Sequence, residues 1–123
     1  MNEKEKTVLL SVPNISGNEL KYVKECLETG WISSAGSYVD KFEQMVADYA
    51  GAKYGIATMN GTAALHIALL LAGVKPKDYV IVSNMTFVAS ANSIKYTGAD
   101  PILIDADPKT WQMDLDLLDE FLD

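Results

Sequence analysis

The stretch Met59-Asn60-Gly61-Thr62-Ala63-Ala64-Leu65-His66 carries the residue types of an anion site. It stands where a short apolar run, Tyr54 to Thr58, hands over to a longer one. A strand that passes through glycine into a helix leaves the first backbone N–H groups of that helix without partners inside it. Gly61 has no Cβ to hold a phosphate away from those groups, and Thr62 adds a hydroxyl donor. A tight strand–helix connection with no ligand uses the same residues, so the junction alone leaves both readings open. His66, about one turn after Thr62, could face a ligand, but core packing or capping is the commoner role of a lone histidine. Asp105 and Asp107 lack the further ligands of a metal site and mark a strand end and the turn before Pro108. No metal site is assigned.

The elements that must position these residues follow from spacing. Ser16-Gly17-Asn18-Glu19 has capping-box spacing and predicts a helix capped by Ser16, with Leu20, Val23 and Leu27 on its apolar face and Gly30 as its stop. Trp31 to Gly36 has no helical period and reads as a loop. Tyr38, Phe42, Met45, Val46 and Tyr49 predict a second helix, ended by Gly51. Gly55-Ile56-Ala57-Thr58 reads as a short strand. Thr62 to Ala72 is apolar almost all round, the pattern of a helix buried on more than one side, with Gly73 as its stop. After the turn Lys75-Pro76-Lys77-Asp78 come a strand, Tyr79 to Val82, a helix from Phe87 to Tyr96 closed by Gly98, and a strand from Pro101 to Asp105. Asp114 is a cap for a last helix, Leu115 to Leu122.

Strands that alternate with helices at this spacing predict right-handed crossovers and a mainly parallel sheet in an α/β fold, whose ligands bind at the carboxyl ends of the strands. Met59–Ala63, Ser83–Phe87 and Asp105–Asp107 should therefore share one rim. Residues 1–50 read as a helical arm that wraps or swaps, and residues 51–123 as the start of the α/β domain.

Composition narrows the partners. Formal net charge of −7 over 123 residues argues against nucleic acid and anionic membranes, so an anionic ligand must be held by local donors. The single cysteine, Cys26, excludes an internal disulfide framework and reads as a small buried hydrophobe. No apolar run approaches the roughly 20 residues of a membrane span, and the charged start Met1 to Lys6 is not followed by a signal-type apolar region. The cytoplasm is the expected compartment.

Several motifs in order carry a resemblance. Gly30-Trp31-Ile32-Ser33-Ser34 with Gly36, Tyr38-Val39 and Phe42-Glu43, then Asn60 to His66, then Thr86-Phe87-Val88-Ala89 with Ala91-Asn92, resemble the DegT/StrS-type nucleotide-sugar aminotransferases. The likeness runs from about Val12 to Leu122. Gly17-Asn18-Glu19, Tyr22 to Cys26 and Thr110 to Asp114 are similar to the branch that aminates the C4-keto group of a nucleotide-linked 6-deoxy sugar, as in legionaminic acid and perosamine pathways. The resemblance implies a three-layer αβα fold with a mainly parallel sheet. Residues 51–123 would be the first, truncated part of the large domain of a fold-type I transferase dependent on pyridoxal 5′-phosphate (PLP).

It also implies roles. Gly61, Thr62 and Ala63 would hold the PLP phosphate, Phe87 would stack on the pyridine ring, and Trp31, Ser33 and Ser34 would line the sugar side. The substrate would be a nucleotide sugar destined for cell-surface polysaccharide, the amino donor glutamate, and the assembly a homodimer or higher homo-oligomer. The Schiff-base lysine and the aspartate that pairs with the pyridine nitrogen lie beyond Asp123 in the family pattern. Lys53, Lys75, Lys77, Lys95 and Lys109 fall in turns or on solvent faces and do not replace that lysine, so the chain alone is expected not to transaminate. Two alternatives stand beside this one: a PLP-dependent sugar dehydratase of the same family, and an inactive remnant that self-associates through uncovered apolar faces. A dinucleotide-dependent oxidoreductase is disfavoured, because Asn60-Gly61-Thr62-Ala63-Ala64 lacks G-x-G-x-x-G spacing. For Trp111, packing is the expected role.

Overall fold

A computed structural model describes Leu9 and residues 11–123, which divide into two units between Gly55 and Ile56. The charged start Met1 to Lys6 lies outside the described residues.

The first unit holds two helices, α1 (Glu19–Thr29) and α2 (Ser37–Ala50). Ser16 does not cap α1. The Glu19 carboxylate reaches back as a capping box requires, but it accepts from the Gly17 N–H at 2.9 Å. That bond starts the helix at Glu19, with Asn18 as the cap residue and no side-chain cap bond. Gly30 ends α1 and Gly51 ends α2 as expected, both in the left-handed region that suits glycine. Beyond Gly51 the chain folds back along α2. The Ala52 N–H bonds to the Ala47 carbonyl at 2.9 Å, and a Cβ at Gly55 would lie 2.4 Å from the Glu43 carbonyl oxygen. Ala47, one turn after Glu43, is buried.

The second unit contains α3 (Gly61–Leu71), β1 (Tyr79–Ser83), α4 (Ala89–Tyr96), β2 (Asp100–Ile104) and α5 (Leu115–Leu122). β1 and β2 pair in parallel, in register from Tyr79 with Asp100 to Ser83 with Ile104, and α4 makes the crossover between them. At the amino edge the Asp100 N–H bonds to the Asp78 carbonyl at 2.8 Å and the Lys77 N–H to the Gly98 carbonyl at 2.9 Å. At the carboxyl edge the Asn84 N–H bonds to the Ile104 carbonyl at 2.8 Å. The core of this unit is Ile94, Ala99 and Ile104 with two buried hydroxyls. Both hydroxyls are satisfied within α4: Ser93 donates to the Ser90 carbonyl and Thr97 to the Ile94 carbonyl, each at 2.7 Å. Asp114 caps α5 as expected, its Oδ1 accepting from the Asp116 and Leu117 N–H groups at 3.0 and 3.2 Å.

The structure departs from the expected elements at four further places. Gly55 to Thr58 lies in neither strand, because a strand is defined by its ladder and β1 and β2 pair with each other. α4 begins at Ala89, two residues after Phe87. The first turn there closes between the Ser90 N–H and the Phe87 carbonyl at 3.0 Å, which leaves Phe87 outside the helix. α3 is not buried on more than one side: one face packs on α4, while Leu65, Ile67, Leu70 and Leu71 are exposed. Trp111 is exposed as well. It takes a φ of 61° where the turn after Pro108 closes through its N–H to the Asp107 carbonyl at 2.8 Å.

Gly98 is held twice over, by a φ of 83° and by Pro76, whose Cβ would lie 3.0 Å from an added Cβ. Gly98→Ala is therefore expected to destabilise the protein by about 1–3 kcal/mol, read as a lower midpoint in urea unfolding.

Candidate functional site

Parallel pairing decides which segments share an edge. Ser83 and Ile104 are register partners, so Asn84–Phe87 and Asp105–Asp107 leave the sheet from the same rim. α3 hands over to β1 through the turn at Pro76 and Lys77, which is bonded to Gly98 at the amino edge. The amino end of α3 is thus its end away from that edge.

At that amino end Asn60 is the cap. Its backbone is extended, with φ −167° and ψ 169°, and its Oδ1 accepts from the Ala63 N–H at 2.9 Å. The Ala64 N–H bonds to the Asn60 carbonyl at 3.2 Å, and the Thr58 hydroxyl donates to the same carbonyl at 3.0 Å. Three of the groups expected to meet an anion remain: the N–H of Gly61, the N–H of Thr62 and the Thr62 hydroxyl make no hydrogen bond among the described residues. The Ala63 N–H is engaged by Asn60. The cap role of Asn60 went unassigned in the sequence, although an asparagine directly before a helical glycine is the signal for it.

Gly61 is unusual among the eight glycines. The other seven have either a positive φ or an atom close to the place a Cβ would take, whereas Gly61 has neither, and a Cβ there would meet open space. Neither the backbone nor the packing of this chain requires glycine at 61. Glycine there leaves the approach to the helix N-terminus open.

Phe87 sits on the rim and is 77% exposed, a flat apolar face held out by the turn before α4. Behind it the Thr86 and Ser90 hydroxyls are 3.2 Å apart. Ser83, at the carboxyl end of β1, has a buried Oγ with no hydrogen-bond partner among the described residues, a feature with no sequence signal. His66 is half-buried and meets Tyr96 edge-on, with ring centroids 5.8 Å apart, which is the packing role expected of it. Asp107 is a turn residue: its Oδ1 accepts from the Thr110 and Lys109 N–H groups at 2.9 and 2.6 Å. Those bonds hold its carboxyl below the ordinary carboxylate value. Lys53, Lys75, Lys77, Lys95 and Lys109 are all exposed, and Lys95 pairs with Asp100.

Trp31, Ser33 and Ser34 lie in the first unit, in the loop between α1 and α2. Trp31 is 61% exposed, and its ring lies against Gly36, with Cε3 3.4 Å from the place of a Cβ there. The Ser33 hydroxyl accepts from the Ala35 N–H at 3.5 Å. Cys26 is half-buried. A contact between the helices escaped sequence reasoning: the Tyr38 hydroxyl donates to Glu25 Oε2 at 2.8 Å.

Residues 13–123 match the model of the DegT/DnrJ/EryC1/StrS aminotransferase family. The chain belongs to this family. It is 50% identical over 107 residues to the GDP-perosamine synthase of Caulobacter vibrioides, covering 87% of this chain and 29% of that one. With the GDP-perosamine synthase of Escherichia coli O157:H7 it shares 50% identity over 101 residues, which is 82% of this chain and 28% of that one. Among solved structures it is similar to Spr1654 of Streptococcus pneumoniae in its PLP form. The TM-score is 0.82 at 34% identity, with 92% of this chain and 29% of that chain covered. The chain thus spans less than a third of the length of these relatives. The family's fold is the fold-type I α/β architecture and its cofactor is PLP, as the resemblance implied.

The Tyr38 hydroxyl has a pKa raised from the ordinary 10.0 to about 12, first by its hydrogen bond to Glu25, then by desolvation and by the Glu25 charge. Its contribution to stability is therefore complete below the unfolded value of 10.0 and is lost as pH rises through about 12. In an ultraviolet titration of tyrosinate, one of the six tyrosines should ionise later than the rest, and Tyr38→Phe should remove that late component.

Proposed function

We propose that this chain forms the cofactor-phosphate part of a PLP-dependent aminotransferase. Its substrate would be a nucleotide-linked deoxy sugar, aminated at a keto group, C4 of a 6-deoxy sugar, for cell-surface polysaccharide. The observation that carries the reading is the N-terminus of α3, where a glycine that the fold does not need stands beside unengaged donors. Two GDP-perosamine synthases at 50% identity support a GDP-linked sugar as substrate and GDP-perosamine as product. Glutamate as donor, a homodimer and a cytoplasmic location complete the reading, with residues 1–50 as a helical arm and 51–123 as the first part of the large domain.

Each residue has a task in this reading. Gly61 and Thr62 offer two backbone N–H groups and a hydroxyl to the PLP phosphate. Ala63 closes the turn, its own N–H held by Asn60 so that the other two donors keep their direction. These are local donors, which a chain of net charge −7 needs to hold a dianion. Phe87, exposed on the rim, would stack on the pyridine ring and so orient it. When bound, PLP supplies an electron sink for the bond that lies perpendicular to that plane. Trp31 shields the sugar side from water, and the hydroxyls of Ser33 and Ser34 orient the sugar.

PLP titration with inorganic phosphate as competitor tests the site. Gly61→Ala should keep or raise the unfolding midpoint of the parent, since alanine favours a helix over glycine, yet lower PLP affinity, since only a ligand needs that space. Thr62→Ala should cost about 1.5–3 kcal/mol of binding through one lost hydrogen bond to a charged group, and Phe87→Ala should also weaken binding. Unchanged affinity in all three variants would remove the site.

Association is a separate expectation. Phe42, Met45 and Tyr49 on α2, and Leu115, Phe121 and Leu122 on α5, are exposed apolar side chains in quantity. Light scattering at micromolar concentration should give a dimer or larger species, and a monodisperse monomer would refute this.

A further inference from the structure

The loop from Gly30 to Gly36 has little to hold it in shape by itself. Its internal bonds are the Ile32 N–H to the Gly30 carbonyl at 3.0 Å and the long contact from the Ala35 N–H to the Ser33 hydroxyl, while the Gly36 carbonyl accepts from the Val39 and Asp40 N–H groups of α2 at 2.9 and 3.1 Å. It begins and ends in glycine: Gly30 closes α1 in the left-handed region, and Gly36 opens α2 with a φ of 145° and no side-chain cap bond. Its conformation must then follow from how α1 and α2 are set against each other.

The two helices are tied at one place close to the loop. Tyr38, the second residue of α2, donates its hydroxyl to Glu25 on α1 at 2.8 Å across thirteen positions of sequence. Its ring meets Tyr22 of α1 at a centroid distance of 5.2 Å, and Lys41 Nζ lies 5.9 Å from the Tyr22 centroid. On the loop side, Tyr38 shares with Trp31, Ser33 and Gly36 the wall of a cavity of about 100 Å³. The indole of Trp31 rests on Gly36, two residues before Tyr38. One side chain therefore joins the helix pair to the surface on which Trp31 and Ser33 are arranged.

We infer that Tyr38 is a positioning residue. Its hydroxyl bond to Glu25 clamps α2 to α1 and so sets the presentation of Trp31 and Ser33, the groups read above as the sugar side. The inference rests on that reading for its consequence in binding, but the clamp itself is a property of the first unit. The ring of Tyr38 already packs against Tyr22, so a phenylalanine keeps the packing and loses only the bond.

The test uses the full chain with Trp111→Phe, which leaves Trp31 as the sole indole. Tyr38→Phe, Glu25→Ala and Glu25→Gln are compared in that background by acrylamide quenching of Trp31 and by titration with GDP-perosamine. Circular dichroism checks that helix content is kept. Tyr38→Phe and Glu25→Ala should make Trp31 more quenchable and weaken GDP-perosamine binding by about fivefold or more. Glu25→Gln keeps an acceptor for the Tyr38 hydroxyl and should restore both readouts, which a general loss of stability would not do. Trp31 quenching equal to the parent in both Tyr38→Phe and Glu25→Ala would overturn the clamp. Changed quenching in a parent background that does not bind GDP-perosamine would uphold the clamp and overturn the sugar-side reading instead. Should one variant fail to fold, the other decides.

Discussion

Parallel pairing of β1 with β2 is the constraint on which the second unit depends. Two parallel strands cannot be joined by a tight turn, so the chain must return through a crossover, and α4 is that crossover. The pairing is locked beyond both ends of the ladder, by Asp100 with Asp78 at one edge and Asn84 with Ile104 at the other. Because each strand then leaves the sheet at the same rim, Phe87 and the Asp105–Asp107 turn share one neighbourhood. A one-residue slip would exchange the faces of Ile104 and Leu103, one buried and one exposed, so burial of Ile104 helps to hold the register.

The amino end of α3 shows how an acidic chain can offer a site to an anion. With net charge −7, the long-range field repels a phosphate, and only donors at contact distance can offset that. Asn60 takes one helix N–H for itself and leaves two unengaged among the described residues, which in the proposed reading divides the helix terminus between its own stability and the phosphate. Gly61 keeps the approach open at a position where alanine would fit the fold as well. Asp107, by contrast, turns one carboxylate oxygen to two N–H groups of the turn that follows β2.

Much of this was legible in the sequence. The glycine stops at Gly30, Gly51, Gly73 and Gly98 stood where expected, since each carries a positive φ that other residues avoid. The Asp114 cap was read correctly because an N-cap is a local bond between near neighbours. The errors have two causes, one local and one long-range. The Ser16 cap failed because the Glu19 carboxylate bonds the Gly17 N–H, which starts the helix at Glu19, with Asn18 as its cap residue. The strand at Gly55 to Thr58 failed because no local pattern states which segment will pair with which.

The sequence by itself determined the order of the five helices and of β1 and β2 and the glycine stops, which follow from spacing and local sterics, and its motifs determined the family. Tertiary structure decided what depends on distant partners. It showed that Asn60 occupies the Ala63 N–H, that Gly61 is free of any demand from the fold, and that Tyr38 reaches Glu25 thirteen residues away. A hydrogen bond between elements needs a distance and an angle as well as a donor and an acceptor, and only the folded chain supplies those.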